Sequence, residues 1–162
     1  MTAPRIETLS EKKMIGQSLP MTLGNDQTFK LWSSFMPRRK GIKNAIGTDF
    51  YSIQVYDKLY SFETFNPKIS FEKWATIEVT GFENVPENMA TLTIKEGLYA
   101  VFIHKGTVQD FPRTMGFIFG KWLPNSPYQL DNRPHFEVLG KKYKNNNPSS
   151  EEEVWIPICP RD

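Results

Sequence analysis

Cysteine occurs once in the 162 residues, at Cys159, so no internal disulfide can staple the fold. Histidine occurs twice, at His104 and His135, and with a single cysteine this leaves no metal-ligand spacing. No glycine-rich phosphate loop and no Gly-x-Ser-x-Gly elbow is present, so metal and nucleotide enzymes are not expected, and no cofactor is expected either. No apolar run approaches the roughly 20 residues needed to span a bilayer. The N-terminal stretch lacks the basic start and apolar stretch of a secretory signal, so a cytoplasmic protein without membrane contact is expected. Neither sign of charge dominates, with 20 basic against 18 acidic residues and a net charge of +2. Direct nucleic-acid binding is therefore not expected. The densest basic cluster, Arg38-Arg39-Lys40, follows a predicted helix and suits the negative end of its dipole. The run Glu151-Glu152-Glu153 reads as a solvated turn before a strand.

What the chain does have is apolar material: 39% hydrophobic and 14% aromatic residues, enough for one core without staples. An extended arm over Arg5–Glu7 and Met14–Met21 carries Gly16 and Pro20 and suits a sheet edge. After the capping pair Asn25-Asp26, Phe29, Trp32 and Met36 with Leu31 and Phe35 form a helical stripe ended by Pro37. Phe50–Tyr56 and Trp74–Val79 then alternate with period two. The order recurs: strand Leu98–His104, the cap Thr107, a helix carrying Val108, Phe111, Met115, Ile118, Phe119 and Trp122, and strands His135–Leu139 and Val154–Ile158. Met89–Ile94 adds an alternating strand between the halves. At an offset of roughly 81–86 residues the halves match in element order, with Trp74 on Trp155 and Ser52 on Glu137. One domain over residues 1–162, with repeats over about 1–80 and 89–160, is the expectation.

If each helix covers the aliphatic positions of its strands, that face carries Ile53, Val55, Ala75, Ile77, Val79, Val101, Ile103, Val138, Val154, Ile156 and Ile158. The opposite face then collects Ser52, Gln54, Tyr56, Trp74, Thr76, Glu78, Ala100, Phe102, His104, His135, Glu137, Leu139 and Trp155. Aromatic and polar together, that second set fits neither open water nor a plain core. It fits a ligand pocket where the two sheets meet. A carboxylate among indole and phenol rings favours a cationic or aromatic ligand. The candidate ligand-binding residues are Glu137 as charge partner, Trp74, Trp155, Tyr56 and Phe102 as aromatic walls, and Ser52, Gln54, His104 and Ser18 as polar contacts.

Several motifs together resemble the GyrI-like small-molecule-binding domain, the effector-binding domain of AraC- and MerR-type transcription regulators. They are Arg5-Ile6-Glu7, Leu31-Trp32-x-x-Phe35-Met36-Pro37-Arg38-Arg39, Tyr51–Tyr56, Lys73-Trp74-Ala75, Gly97–Phe102, Trp122-Leu123-Pro124-x-Ser126-x-Tyr128, Arg133–Leu139 and Glu152–Ile158. The resemblance implies an α+β fold of duplicated β-α-β-β units about a pseudo-twofold axis, antiparallel sheets each covered by a helix, and a ligand cleft between the repeats. It also implies an acidic residue deep in the cleft, matched here by Glu137. The chain is similar to the stand-alone form, as in integron-associated effector-binding proteins, which sense or sequester a small-molecule ligand. The family also implies a possible protein partner, a DNA-binding regulator or gyrase. A further family activity, hydrolysis of cyclopropane-containing genotoxins, would make Glu137 the acid or base and would need its pKa raised.

Overall fold

The period-two stretches become strands and the two helical stripes become helices in the computed structural model, which describes residues 2–57 and 66–162. In chain order the elements are β1 (Arg5–Leu9), β2 (Lys12–Thr22), α1 (Thr28–Arg38), β3 (Phe50–Val55), β4 (Ser70–Val79), β5 (Ala90–Ile94) and β6 (Gly97–Lys105). There follow α2 (Phe111–Phe117), β7 (Tyr128–Leu130), β8 (His135–Leu139) and β9 (Glu151–Pro160). The architecture is α+β, and the strands pair antiparallel throughout in the order β1-β6-β9-β8-β3-β4-β2-β5, with β7 added on β9.

That order reads the same from both ends when β1 is exchanged with β5, β2 with β6, β3 with β8 and β4 with β9, which is what a twofold axis between the halves requires. The centre of that order falls between β3 and β8, where Ser52 and Glu137 are register partners. The two sheets anticipated from the sequence are thus continuous through β3 and β8, and Glu137 lies on a strand at the centre of that order.

Chain connectivity then curls the sheet. β1 and β2 lie six steps apart in the strand order, a separation of about 29 Å in a flat sheet. Only Ser10 and Glu11 join them, and the three residue steps from Leu9 to Lys12 span at most about 11 Å. Lys95 and Glu96 impose the same closure between β5 and β6. The sheet therefore wraps round on itself, and all eight strands of the path contribute to the cluster inside: Leu9, Met14, Tyr51, Ile53, Trp74, Ile94, Tyr99, Val101, Phe136 and Trp155. On the outer face α1 packs Leu31 and Phe35 against Ile15, Ala75 and Val79, while the α2 region covers Ala100, Phe102, Val154, Ile156 and Ile158.

Several local expectations are revised by this packing. β2 is no simple edge: it is paired on both sides as far as Gly16, and only beyond it, where Pro20 needs no ladder donor on its free side, is one edge open. α1 runs one residue past Pro37, with Arg38 and Arg39 donating to the carbonyls of Ser34 and Met36. The second helix is not continuous. A 3₁₀ turn (Val108–Asp110) precedes α2, and a π-helical turn (Ile118–Trp122) and another 3₁₀ turn (Leu123–Asn125) follow it. Thr107 caps as anticipated, its hydroxyl accepting from Gln109 N and its own N–H donating to Asp110. Phe29 and Val108, assigned to the buried stripes, are 87% and 72% exposed, because each sits in the first turn, before its helix reaches the sheet. Glu151-Glu152-Glu153 is not a turn but the start of β9. Among the described residues no helix is long and apolar enough to cross a membrane.

Candidate functional site

Register partners in an antiparallel pair share a face, so the pairings sort the candidate residues. Trp74 pairs with Ile53, and Trp155 with Phe136 and Val101. Ser52 pairs with Ala75 and Glu137, Gln54 with Lys73 and His135, Phe102 with Val154, and His104 with Glu152. The two tryptophans therefore lie inside the curled sheet, and Glu137, Ser52, Gln54, Phe102 and His104 lie on the outer face beneath the helices. The expected joint wall of Trp74, Trp155 and Glu137 does not exist. The aliphatic rule holds for β4 and β9 but is inverted for β3, β6 and β8, because both faces of the sheet are buried and an aliphatic residue suits either.

Trp155 is also committed elsewhere, its indole N–H donating to Glu153 at 3.0 Å beneath the Arg5 guanidinium, which lies 5.8 Å from the ring. Ser18 shares the inner face with its register partner Trp74, near the open edge of β2, and donates to Glu72 at 2.8 Å. Phe102 is packed edge-on against Phe117 and Trp122 beneath the second helix and is core. His104 spends both ring nitrogens on structure, Nδ1 at 2.7 Å from the Thr114 hydroxyl and Nε2 at 3.0 Å from the Thr107 carbonyl, so it anchors the start of the second helix.

What converges at the seam is a smaller set. Glu137 is buried, with Oε1 accepting from Gln54 Nε2 at 3.0 Å and lying 3.7 Å from Lys73 Nζ. Tyr56, one residue beyond β3 on the parity of Gln54, packs its ring 5.3 Å from Phe71 and 5.0 Å from His135. The π-helical turn delivers Phe119, which stacks on His135 with centroids 6.3 Å apart. Glu152 joins from β9. Phe71, Lys73, Phe119 and Glu152 were not among the candidate ligand-binding residues read from the sequence. A correct phase for β3 would have found Lys73 and Phe71, since they share the parity of Ala75.

Burial governs the ionisation of this cluster. It pushes the Glu137 carboxyl up, opposed by the Lys73 ammonium and the Gln54 amide. Glu152 is pushed up to about 8, first by burial and then by the charge of Glu137, against the pull of Lys73. Burial drives His135 down to about 3, and burial followed by the Glu137 charge pushes the Tyr56 phenol up. The seam thus holds the Glu137–Lys73 pair, a second carboxyl, Glu152, that is protonated at neutral pH, a neutral His135 imidazole and the Tyr56 phenol, edged by phenyl rings. Such a surface can seat an aromatic molecule and meet a positive charge on it.

The fold recurs in solved structures. SAV2435 bound to tetraphenylphosphonium superposes with a TM-score of 0.73 at 11% identity, over 98% of this chain and 94% of that one. The C-terminal domain of EcmrR gives a TM-score of 0.68 at 16% identity, over 97% of each chain. In sequence, the transcriptional regulator BrlR of Pseudomonas aeruginosa is 25% identical over 134 residues, which are 82% of this chain and 47% of BrlR. The chain thus spans about half the length of that relative. The sequence profile of the integron-associated effector binding proteins, Cass2, matches residues 5–158, and the chain belongs to that effector-binding family.

Proposed function

We propose that the chain binds a hydrophobic aromatic compound carrying a positive charge, over the centre of the sheet between the two helices, and that it serves as the ligand-sensing module of a regulator. The observation that carries this reading is Glu137: a buried carboxylate in the central strand pair, on the face that also carries the linked rings of Tyr56, Phe71, His135 and Phe119. Burying a carboxylate is costly unless something gains from it, and one kept in the central strand pair beside a cluster of rings is better explained by a ligand than by stability. Support for the ligand class comes from SAV2435, whose bound tetraphenylphosphonium is an aromatic cation, and for the regulatory role from BrlR, a transcriptional regulator.

Titration calorimetry with tetraphenylphosphonium, and with the neutral triphenylphosphine oxide as control, tests the reading. Glu137→Gln is expected to weaken the phosphonium about tenfold or more, equivalent to roughly 1.4 kcal/mol, while the oxide changes little. Equal loss for both probes contradicts a charge role for Glu137. The raised carboxyl beside the Tyr56 phenol is also what a hydrolytic reaction would use, and a stable one-to-one complex in the same titration separates binding from turnover.

A further inference from the structure

The carboxylate that is meant to receive a cation already has one. Lys73 reaches it from β4, paired in register with Gln54 and on the same face, with Nζ 3.7 Å from Glu137 Oε1. Both side chains are nearly enclosed, 11% and 10% exposed. Gln54 donates to the same oxygen at 3.0 Å. The other groups of the cluster are Tyr56 from just beyond β3, His135 from β8, Glu152 from β9, Phe119 from the π-helical turn and, paired in register with Glu152, His104 from β6.

We propose that Lys73 is the specificity-determining residue of this site, a resident cation that a ligand's charged group must displace to reach Glu137. The inference rests on the binding reading above and deepens it. A neutralised ion pair attracts an incoming cation only as a dipole, and the ammonium repels it at close range, so attraction to the carboxylate is largely cancelled while Lys73 stays in place. The lysine side chain is a point charge on a flexible four-carbon stem, able to swing aside when a better-fitting cation arrives. Ligands are then selected on shape and aromatic surface first and on charge second. A lipophilic monocation gains its ion pair only by uncoupling the resident one.

The test uses the full chain with tetraphenylphosphonium and triphenylphosphine oxide as charged and neutral probes, in wild type, Lys73→Met and Lys73→Gln. Removing the ammonium is expected to tighten phosphonium binding at least about tenfold, with the oxide unchanged within about threefold. Unchanged or weaker phosphonium binding by a folded Lys73 variant overturns the proposal. Should neither variant melt cooperatively, the wild type decides. With Lys73 resident it prefers the phosphonium to the oxide by less than about tenfold, and a larger preference overturns the proposal. Loss of all binding, to both probes and in every protein, overturns the binding reading itself and the Lys73 proposal with it. Intact binding that is indifferent to Lys73 removes only the latter.

Discussion

Two carboxyls and one ammonium share the seam, and their arithmetic sets how the protein responds to pH. Glu152 binds its proton up to about pH 8 in the folded chain, whereas an unfolded glutamate releases it near 4.3. Its folded pKa is raised, so the stability it contributes is present at low pH and is lost as pH rises through about 8. His135 acts in the opposite sense: its folded pKa of about 3 lies below the unfolded value, so its ionisation destabilises only as pH falls below about 6.5. Between these regimes, from about pH 6.5 to 8.5, the slope from this pair belongs to Glu152. The melting temperature of the wild type is expected to fall across that window, by roughly 2–4 °C for each kcal/mol lost, and Glu152→Gln is expected to flatten the curve. A variant that keeps the wild-type slope shows that Glu152 is already ionised in the folded state. Had Glu151-Glu152-Glu153 been the solvated turn its composition suggests, no such slope would exist; β9 carries the middle residue into the cluster instead.

At the scale of elements, β2 approaches β4 too closely at Gly16 for any side chain. A Cβ on Gly16 would stand 1.9 Å from the Ala75 carbonyl oxygen and 2.8 Å from Thr76 Cα. Both contacts are backbone and cannot give way without parting β2 from β4. Gly16→Ala is expected to destabilise the protein by about 3 kcal/mol in denaturant unfolding. Gly116→Ala in α2, where nothing lies within 4 Å, should be neutral or slightly stabilising. Equal effects at the two glycines contradict the close approach. Much at this scale was legible in the sequence. The extended arm, period-two alternation and helical spacing mark all the strands but β7, and both helices, near their observed bounds; β7, only three residues long, carries too short a pattern to see. Facing was not legible for β3, β6 and β8. Val138 on β8 and Ile53 on β3 look like a helix-covered row, but closure of the sheet gives the inner face an apolar core of its own, so hydrophobicity no longer distinguishes the two sides. That ambiguity exchanged Trp74 and Trp155 for Phe71 and Phe119 as the aromatic residues on the face of Glu137, while Glu137, Gln54 and Tyr56 stayed together because they occupy equivalent parity on paired strands.

The whole molecule is a curled sheet whose two halves meet along β3 and β8. Ser52 and Glu137 are register partners across that seam, so the two halves meet with different chemistry: one offers a hydroxyl and the other a carboxylate. The aromatic residues are uneven too, with Tyr56 and Phe71 from the first half and His135 and Phe119 from the second. A flat aromatic cation laid on this face would touch rings from both halves while its charge lies off-centre, toward β8. The central claim is that this outer face, and not the tryptophan-lined interior, receives the ligand. Nuclear Overhauser contacts between the phenyl protons of tetraphenylphosphonium and the isotope-labelled protein test it most directly. Contacts to the rings of Tyr56, Phe71 and Phe119 are the expected result, and contacts to the indoles of Trp74 and Trp155 without these would contradict it.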